Sequence, residues 1–329
     1  MTKNIFLVLM LSVLLIGGCK NHKSNIIGEH DLSKIFFREF TDDEVKNAIE
    51  QLSRDIDNHD TSAYFFRGMF YRHIGEYDKA KADFDFILEH DSSNSDAYYG
   101  LGMIYSGRLD SAKAIYEFNK SIKCNPQNAF AYFGRGINQS NRQKELEDYE
   151  KAIKLRPDCA QFYVWRGIRY DSMDSTDLAI NDLEKSVKMD TTITLAYSFL
   201  GIIYSYKGNY DKGIENFSHV IRLKPDKANG YDDRGDVYCM MKDYSKAIND
   251  YKNGAKYSTG DKWGKKEHFY YTIARTYAQM NQPDSVYAYL EITFKENEDY
   301  VNYADGEREF DNIKNEPRFK KLLAKYSKE

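Results

Sequence analysis

Proline, cysteine and clustered positive charge are all scarce in this sequence of 329 residues. Only 5 prolines and 20 glycines occur, which argues against long linkers without structure. The 4 cysteines include no Cys-x-x-Cys pair and have no histidine at ligand spacing, so a zinc site is not indicated. The formal net charge is −4 and no basic run is present, so we do not expect a nucleic-acid partner.

Signatures of catalysis and of cofactor binding are also missing. The 7 histidines are scattered, and none neighbours a serine, a cysteine or an acid in a recognisable catalytic arrangement. No glycine-rich phosphate loop occurs. We therefore expect a protein that is not an enzyme and that holds neither a cofactor nor a metal. Cys124, Cys159 and Cys239 are expected to be buried or partly buried free thiols, with one disulfide as the alternative.

Long apolar runs are limited to one, which lies at the N-terminus. Lys3 precedes a stretch from Ile5 to Ile16 that is apolar except for the small residue Ser12, and Gly17-Gly18-Cys19 follows. This stretch is shorter than the roughly 20 residues of a membrane-spanning helix but has the length of a signal-peptide core. The sequence therefore predicts a signal peptide over residues 1–18.

The four residues from Ile16 to Cys19 resemble a bacterial lipobox, with a branched apolar residue, two small residues and then cysteine. The resemblance implies cleavage before Cys19 and acylation of its thiol and new amino group, so that several acyl chains anchor the protein. An ordinary signal peptide with a chance cysteine is the alternative. Residues 19–41 would then form a tether. Lys20 stands where an aspartate would mark inner-membrane retention, which favours the outer membrane, and a periplasmic face is expected because no acidic export patch follows.

A period near 34 residues organises most of the remaining chain. Small residues recur at spacings of 34, 34, 31, 34, 34 and 39, namely Gly68, Gly102, Gly136, Gly167, Gly201, Gly235 and Ala274. With this residue counted as position 8, position 4 is always tyrosine: Tyr64, Tyr98, Tyr132, Tyr163, Tyr197, Tyr231 and Tyr270. Position 11 is tyrosine in every repeat but the third, which has Gln139. Positions 4, 8 and 11 share one side of a helix, here named helix A.

A second helix, named helix B, follows in each repeat. Position 20 is mostly small, and position 24 is always bulky: Phe84, Phe118, Tyr149, Leu183, Phe217, Tyr251 and Leu290. Pro126, Pro157 and Pro225 occupy position 32, where a helix must end. Over residues 61–298 this pattern resembles the tetratricopeptide repeat family. The resemblance implies an all-α fold, a right-handed superhelical solenoid of about seven antiparallel helix hairpins.

Helical segments are predicted to close both ends of the array, because a terminal hairpin has an apolar face that lacks a neighbour. Residues 42–58 are predicted to form an amphipathic N-terminal cap helix, and residues 299–329 a C-terminal helical cap whose main amphipathic pattern runs from Glu309 to Tyr326. The third repeat lacks about three residues in its inter-helix turn, and a longer link over residues 258–266 precedes the seventh.

Positions 7 and 23 vary together within this one chain. Arginine at position 7 occurs with aspartate at position 23 in four repeats: Arg67 with Asp83, Arg135 with Asp148, Arg166 with Asp182, and Arg234 with Asp250. Leucine at position 7 never occurs with aspartate at position 23. We therefore predict a structural contact between each guanidinium and its carboxylate, with two solvated side chains as the alternative.

Positions 5 and 9 of helix A usually line the concave groove in this family, and they adjoin because they lie one turn apart. Their apolar character in the first five repeats predicts a partner-binding surface: Phe65, Met69, Tyr99, Met103, Phe133, Ile137, Val164, Ile168 and Ile202. Large exposed apolar patches usually mark binding sites. The alternative is that these side chains form inter-repeat core.

The same face turns acidic in the sixth repeat, at Asp232, Asp233 and Asp236. These carboxyls have the chemistry to hold calcium, but a solvated acidic face partly balanced by Arg275 is the favoured interpretation. The family's clamp for C-terminal carboxylates uses lysine at position 5 and asparagine at position 9. This chain has neither, so binding of that kind is not expected.

These features together predict a non-enzymatic, lipid-anchored adaptor of the bacterial cell envelope that binds a protein or peptide in its concave groove. One alternative is an envelope-assembly factor that recruits cell-wall, outer-membrane-barrel or pilus machinery. Another, from a different class, is a glycan-binding protein or an undetected enzyme. A tyrosine-lined groove rich in asparagine and aspartate would favour sugars, whereas the methionine and isoleucine content favours peptides.

Overall fold

The computed structural model describes residues 42–57, 62–258 and 265–327. The predicted signal peptide, Cys19 and the tether over residues 19–41 lie outside the described residues. Within those three ranges the chain is helical and contains no strand, which confirms the all-α prediction. No helix in this part of the chain has the length and apolar character needed to cross a membrane.

Helices A and B alternate through seven successive hairpins in the described ranges. One helix precedes them, α1 (Asp42–Asp57). The hairpins are α2 (Ser62–His73) with α3 (Tyr77–His90), α4 (Ser95–Gly107) with α5 (Ser111–Cys124), α6 (Ala129–Asn138) with α7 (Arg142–Leu155), α8 (Ala160–Asp171) with α9 (Thr176–Met189), α10 (Thr194–Tyr206) with α11 (Tyr210–Leu223), α12 (Asn229–Met240) with α13 (Tyr244–Lys256), and α14 (Lys266–Gln279) with α15 (Pro283–Glu296). Helix α16 (Tyr300–Gly306), a 3₁₀ turn (Arg308–Phe310) and α17 (Pro317–Tyr326) follow.

The helices form two compact units that divide between Leu195 and Ala196. The first unit has one continuous apolar core that extends from Val45 on α1 to Trp165 on α8. The second unit has one core cluster around Tyr251 and another around Phe310. In each unit helix A of a repeat packs directly on helix B of the same repeat, as the periodicity predicts.

The small residue at position 8 sets how closely helices A and B approach. A Cβ atom added to Gly102 would lie 2.6 Å from Cε1 of Phe118, and one added to Gly235 would lie 2.6 Å from Cε1 of Tyr251. These distances are shorter than any real contact, so only hydrogen fits beside the position 24 ring. In the first unit the Phe118 ring also meets position 6 of the next helix A, where a Cβ on Gly134 would lie 2.6 Å away.

The turn between helices A and B follows one backbone design in six of the hairpins. Position 15 has a positive φ between 54° and 80° at Gly75, Leu109, Asp174, Gly208, Lys242 and Asn281. The next N–H then donates to the carbonyl at position 11, for example from Asp110 to Tyr105 over 2.9 Å. This is the Schellman ending of a helix, which usually uses glycine. Four of the six residues carry a side chain, so the sequence signals this turn clearly in only two repeats.

The tyrosine at position 4 closes the loop that joins successive repeats. The hydroxyl of Tyr163 donates to the carbonyl of Pro157 over 3.1 Å, and Tyr231 donates to Pro225 over 3.1 Å. Both acceptors are the position 32 prolines. At these two repeats the position 4 tyrosine therefore makes a hydrogen bond that phenylalanine would lack.

Both predicted ends of the array are helical, but the C-terminal segment is interrupted. Helix α1 packs on α2 and buries Val45 and Leu52. The segment from Glu309 to Tyr326, predicted from one amphipathic pattern, is broken by turns over residues 311–316. Pro317 then begins α17, because proline fits the first turn of a helix but not its interior.

Candidate functional site

Seven of the nine residues predicted to bind a partner lie in the protein interior. Six per cent or less of the surface is exposed at Phe65, Met69, Tyr99, Met103, Phe133, Val164 and Ile168. Ile137 and Ile202 are partly exposed. The apolar stripe therefore offers little accessible surface along most of its length.

The position 5 aromatic rings pack against the position 24 rings of their own hairpins. Ring centroids lie 5.8 Å apart for Phe65 and Phe84, and 5.9 Å apart for Tyr99 and Phe118. Phe133 similarly lies 5.7 Å from Tyr149. Aromatic side chains at position 5 are long enough to reach helix B, and burial of their large apolar area favours that contact. Tyr99 also contacts Phe130, and Phe133 contacts Phe162, in the following repeats, so the alternative interpretation of inter-repeat core describes these rings. Partner binding by them stays a prediction.

All four predicted arginine–aspartate pairs form, and each is bidentate. The shortest N to O distances are 2.7 Å for Arg67 with Asp83, 2.5 Å for Arg135 with Asp148, 2.7 Å for Arg166 with Asp182, and 2.8 Å for Arg234 with Asp250. Three of these arginines also donate to the preceding helix, as Arg135 Nη1 does to Asn119 over 2.7 Å. Each arginine thus joins helix A to its own helix B, and three of the four also reach the preceding helix, which is a structural role.

The sixth repeat presents carboxyls where the earlier repeats present apolar side chains. Asp232, Asp233 and Asp236 all lie on α12, and we call these three residues the acidic surface. His268 reaches it from α14, with Nε2 3.4 Å from Oδ2 of Asp232. The hydrogen bond to that carboxylate raises the pKa of the His268 imidazole.

Tyr251, a buried residue of α13, forms a hydrogen bond to one member of the acidic surface. Its hydroxyl donates to Oδ1 of Asp236 over 2.7 Å and lies 3.4 Å from Sγ of Cys239. Tyr251 is 1% exposed, and burial raises the pKa of its hydroxyl far above the usual range. Burial also raises the pKa of the Asp236 carboxyl. Asp236 is nevertheless exposed to solvent.

Asp233 differs from its two neighbours in having no donor. Among the described residues, none donates a hydrogen bond to its carboxyl, although Asp232 has His268 and Asp236 has Tyr251. Burial, followed by the negative charges of Asp232 and Asp236, raises the pKa of Asp233 to about 7. Asp233 is partly exposed, so the acidic face is less open to solvent at this position than at Asp236.

Arg275 compensates the acidic surface only in part. Its Nη2 lies 2.5 Å from Oε1 of Glu309, and its Nε lies 3.5 Å from Oε2 of Glu307. Glu307 also accepts a hydrogen bond of 3.2 Å from the Tyr271 hydroxyl. Glu307 and Glu309, which follow the repeat array, thus form ion pairs with Arg275. The sequence pattern had indicated the aspartates of the sixth repeat as its partners. Within the described ranges, no group of three or more histidine, cysteine or acidic side chains is arranged to hold a metal ion.

The cysteines in the described ranges fall into two states. Cys239 is a partly buried free thiol, as expected. Cys124 is also a free thiol, but it is exposed, so the expectation of burial is wrong there. Cys159 is fully buried and is disulfide-bonded. The expectation of a free thiol is therefore wrong for Cys159, and the alternative of one disulfide applies to it.

Comparison with known proteins identifies the repeat. A family model described as tetratricopeptide repeat matches residues 47–129, and a second with the same description matches residues 195–227. The chain contains tetratricopeptide repeats. No curated protein sequence matches it.

Two solved structures share the tetratricopeptide arrangement of helices. The APC/C hetero-tetramer Cut9–Hcn1 aligns with a TM-score of 0.61 at 18% identity, over 90% of this chain and 54% of that one. The pilF protein of Pseudomonas aeruginosa aligns with a TM-score of 0.53 at 15% identity, over 71% and 98%. At these identities the likeness shows the fold alone, and this chain spans about half the length of its Cut9–Hcn1 match.

Proposed function

We propose that this tetratricopeptide-repeat protein is a non-enzymatic adaptor that binds a protein or peptide segment across its helix A faces. Tetratricopeptide repeats generally mediate binding of proteins or peptides. The observation that carries the proposal is the placement of successive helices A beside one another. In the first unit α2 lies beside α4, and α4 beside α6. In the second unit α12 and α14 meet where Asp232 contacts His268. A segment laid across such helices contacts several repeats at once.

Accessible polar side chains carry more of the proposed surface than the apolar stripe does. Asp236 is exposed, and Asp232 and Asp233 are partly exposed. Ile137 and Ile202 are the two members of the stripe that keep solvent access. A partner therefore meets isolated apolar contacts together with a cluster of carboxyls, which is typical of a polar, reversible interface.

The proposal also covers the location of the protein in the cell envelope. The Ile16 to Cys19 pattern supports lipid anchoring, and Lys20 supports retention at the outer membrane with the repeats facing the periplasm. An adaptor in that position would hold its partner close to the membrane. Recruitment of cell-wall, outer-membrane-barrel or pilus machinery is one form that this function would take.

Affinity capture from detergent-solubilised envelope tests the adaptor function. We expect the tagged full chain to retain a specific protein that an untagged control strain does not yield. Ile137→Asp combined with Ile202→Asp should reduce its capture, because each places a charge at an accessible helix A position. Leu178→Asp is the matched control, since Leu178 is 52% exposed on helix α9. Absence of any specific partner, or equal loss in the control, contradicts the adaptor function.

A further inference from the structure

We infer that Arg72, in the last turn of helix α2, is a binding site for a carboxylate of the partner. This inference rests on the proposed adaptor function and specifies the chemistry that the partner presents. It assigns a role to a helix A arginine that no carboxylate in the described part of the chain neutralises.

The guanidinium of Arg72 is the observation that points to a ligand. Its Nε atom is fully buried and has no hydrogen-bond partner among the described residues. The groups of the described chain whose charge acts on it are the hydroxyls of Tyr77 and Tyr99, and neither is a carboxylate. Burial lowers the pKa of the Arg72 guanidinium, but arginine keeps its proton in proteins, so the charge stays in place. Because a buried charge without a partner is costly, we expect the missing acceptor to come from another molecule.

Every other arginine on the described helices A has a carboxylate partner. Arg169 and Arg275 also have a buried Nε without a hydrogen bond, but each of these guanidiniums pairs with a carboxylate through another nitrogen. Where arginine holds helices together in this chain, it therefore does so with a carboxylate, and Arg72 departs from that rule. The six pairs are Arg67 with Asp83, Arg135 with Asp148, Arg166 with Asp182, Arg169 with Glu145, Arg234 with Asp250, and Arg275 with Glu309.

Arg72 lies on the same side of α2 as the apolar stripe. Phe65, Met69 and Arg72 are spaced four and three residues apart, which places them in one line along the helix. Phe65 and Met69 are buried, whereas the Arg72 side chain as a whole keeps partial exposure, so a ligand can reach it from solvent. Helix α4 lies beside α2 and brings Tyr99 close to the same guanidinium. A segment laid across α2 and α4 therefore meets Arg72.

A carboxylate fits this site better than a phosphate group does. The two oxygens of a carboxylate accept parallel hydrogen bonds from one guanidinium, as they do in the pair of Arg67 with Asp83 on the same helix. A phosphate group carries about two negative charges at neutral pH, and one arginine compensates only part of that charge. No lysine or second arginine of the described chain acts on Arg72. The site therefore has the charge for one carboxylate.

Fluorescence anisotropy with labelled hexaglutamate, amidated at its C-terminus, tests the site, and amidated hexaglutamine is the uncharged control peptide. The full chain is expected to bind hexaglutamate and not amidated hexaglutamine at about 0.15 M salt, although its formal net charge of −4 opposes an acidic peptide. Arg72→Met keeps an unbranched side chain and removes the charge, so it should weaken binding about tenfold or more. Hexaglutamine with a free C-terminal carboxylate distinguishes a chain end from an acidic side chain as the source. Binding of neither carboxylate peptide overturns the inference.

Arg222→Met is the matched control for binding, because Arg222 is exposed on α11 and the same charge is removed. It should bind hexaglutamate within about twofold of the unchanged protein, since an exposed charge outside the site contributes little. An equal loss of binding in Arg222→Met and Arg72→Met shows general charge attraction and overturns the inference.

Thermal melting of the chain without ligand gives a second, independent measurement. Arg72→Met should raise the melting temperature by about 2 °C or more, because it removes a buried charge that has no partner. Arg67→Met on the same helix should lower it, because Asp83 then loses its partner. If Arg72→Met lowers the melting temperature as much as Arg67→Met does, Arg72 is a structural residue and the inference is overturned.

Partner capture separates failure of this site from failure of the adaptor function. Capture by the unchanged protein that falls in Arg72→Met and persists in Arg222→Met supports the site. Equal capture by the unchanged protein and Arg72→Met contradicts the carboxylate site alone. No capture by any of these proteins contradicts the adaptor function, and the peptide measurements still decide whether Arg72 binds a carboxylate.

Discussion

Arg166 holds Asp182 through two parallel hydrogen bonds, 2.7 Å from Nε to Oδ2 and 2.8 Å from Nη2 to Oδ1. The guanidinium also lies 5.7 Å from the ring of Tyr163 at position 4 and 5.6 Å from that of Tyr170 at position 11. Three recurring positions of the repeat therefore meet around one arginine. The covariation of positions 7 and 23 within the chain reflects this contact, because the planar guanidinium donates two parallel hydrogen bonds that the two carboxylate oxygens accept.

Replacing Asp148 alone should lower the free energy of unfolding more than replacing both Arg135 and Asp148. The Asp148 side chain is 6% exposed and that of Arg135 is 24% exposed. Asp148→Ala strands the guanidinium in a partly buried site, at an expected cost of about 2–4 kcal/mol. Arg135→Met combined with Asp148→Leu removes both charges, and the free energy of unfolding in urea should then be higher than for Asp148→Ala. A double variant that is less stable than Asp148→Ala contradicts the pairing account.

The Schellman turns predict a substitution that increases stability. Leu109 has φ of 63° and is 57% exposed, so its side chain gains little from burial while its backbone occupies the left-handed region. Leu109→Gly should raise the free energy of unfolding by about 0.5–1 kcal/mol, because glycine occupies this region without steric cost. Gly75→Ala is the control at the same repeat position and should lower stability by about 1 kcal/mol. Thermal melting of both variants measures the two opposite shifts.

The sequence predicts the repeat, the hairpins and the paired charges because each depends on short, periodic contacts. The contact of Gly102 with Phe118, for instance, follows from a small and a bulky residue 16 positions apart. The positive φ at Leu109 is not predictable in this way, because hydrogen bonds of the turn impose it on a residue that does not favour it. The burial of Tyr99 is not predictable from the sequence for a related reason. Periodicity places position 5 on a face, but the reach of an aromatic ring decides whether it turns inward.

The surroundings of Asp233 are also not predictable from the sequence. Its neighbours Asp232 and Asp236 were expected to share Arg275, but the glutamates that engage Arg275 lie more than 30 residues further along the chain. Only the fold shows which acids compete for one cation. The sequence does show that Glu307 and Glu309 flank Arg308 after the last hairpin and α16, but it does not show that they reach Arg275.

Stability should fall as the pH rises through the titration of Asp233. Its pKa is raised from 3.8 to about 7 in the folded chain, so between these values the folded state binds more protons than the unfolded state. The penalty is absent below pH 3.8 and complete above pH 7. One pKa unit corresponds to about 1.4 kcal/mol, and with partial solvent access we expect a net effect of about 1–3 kcal/mol. Asp233→Asn should be more stable than the unchanged protein at pH 8 and nearly equal at pH 4, as measured by urea unfolding.

Substitution of Cys19 tests the proposal that the protein is lipid-anchored. Cys19→Ser should abolish acylation and shift the protein from the detergent phase to the aqueous phase in phase partitioning, because the anchoring acyl chains are lost. Mass spectrometry of the mature N-terminal peptide should show acyl groups on Cys19. Unchanged detergent partitioning of the Cys19→Ser protein contradicts lipid anchoring.

Tyr99 and Met103 distinguish a core from a ligand surface. Tyr99 exposes 5% and Met103 exposes 6% of the side-chain surface, and Tyr99 contacts the Phe118 and Phe130 rings. Tyr99→Ala and Met103→Ala should each leave a cavity and lower the free energy of unfolding by about 2–5 kcal/mol, with a clear fall in melting temperature. Partner capture, measured well below that temperature, should be retained. Ile137→Ala, at a partly exposed stripe position, should show the opposite balance, with a smaller stability loss and weaker capture. If instead the Tyr99 and Met103 variants melt normally and lose the partner, these side chains act at an accessible surface, and the stripe rather than the acidic surface is the principal contact.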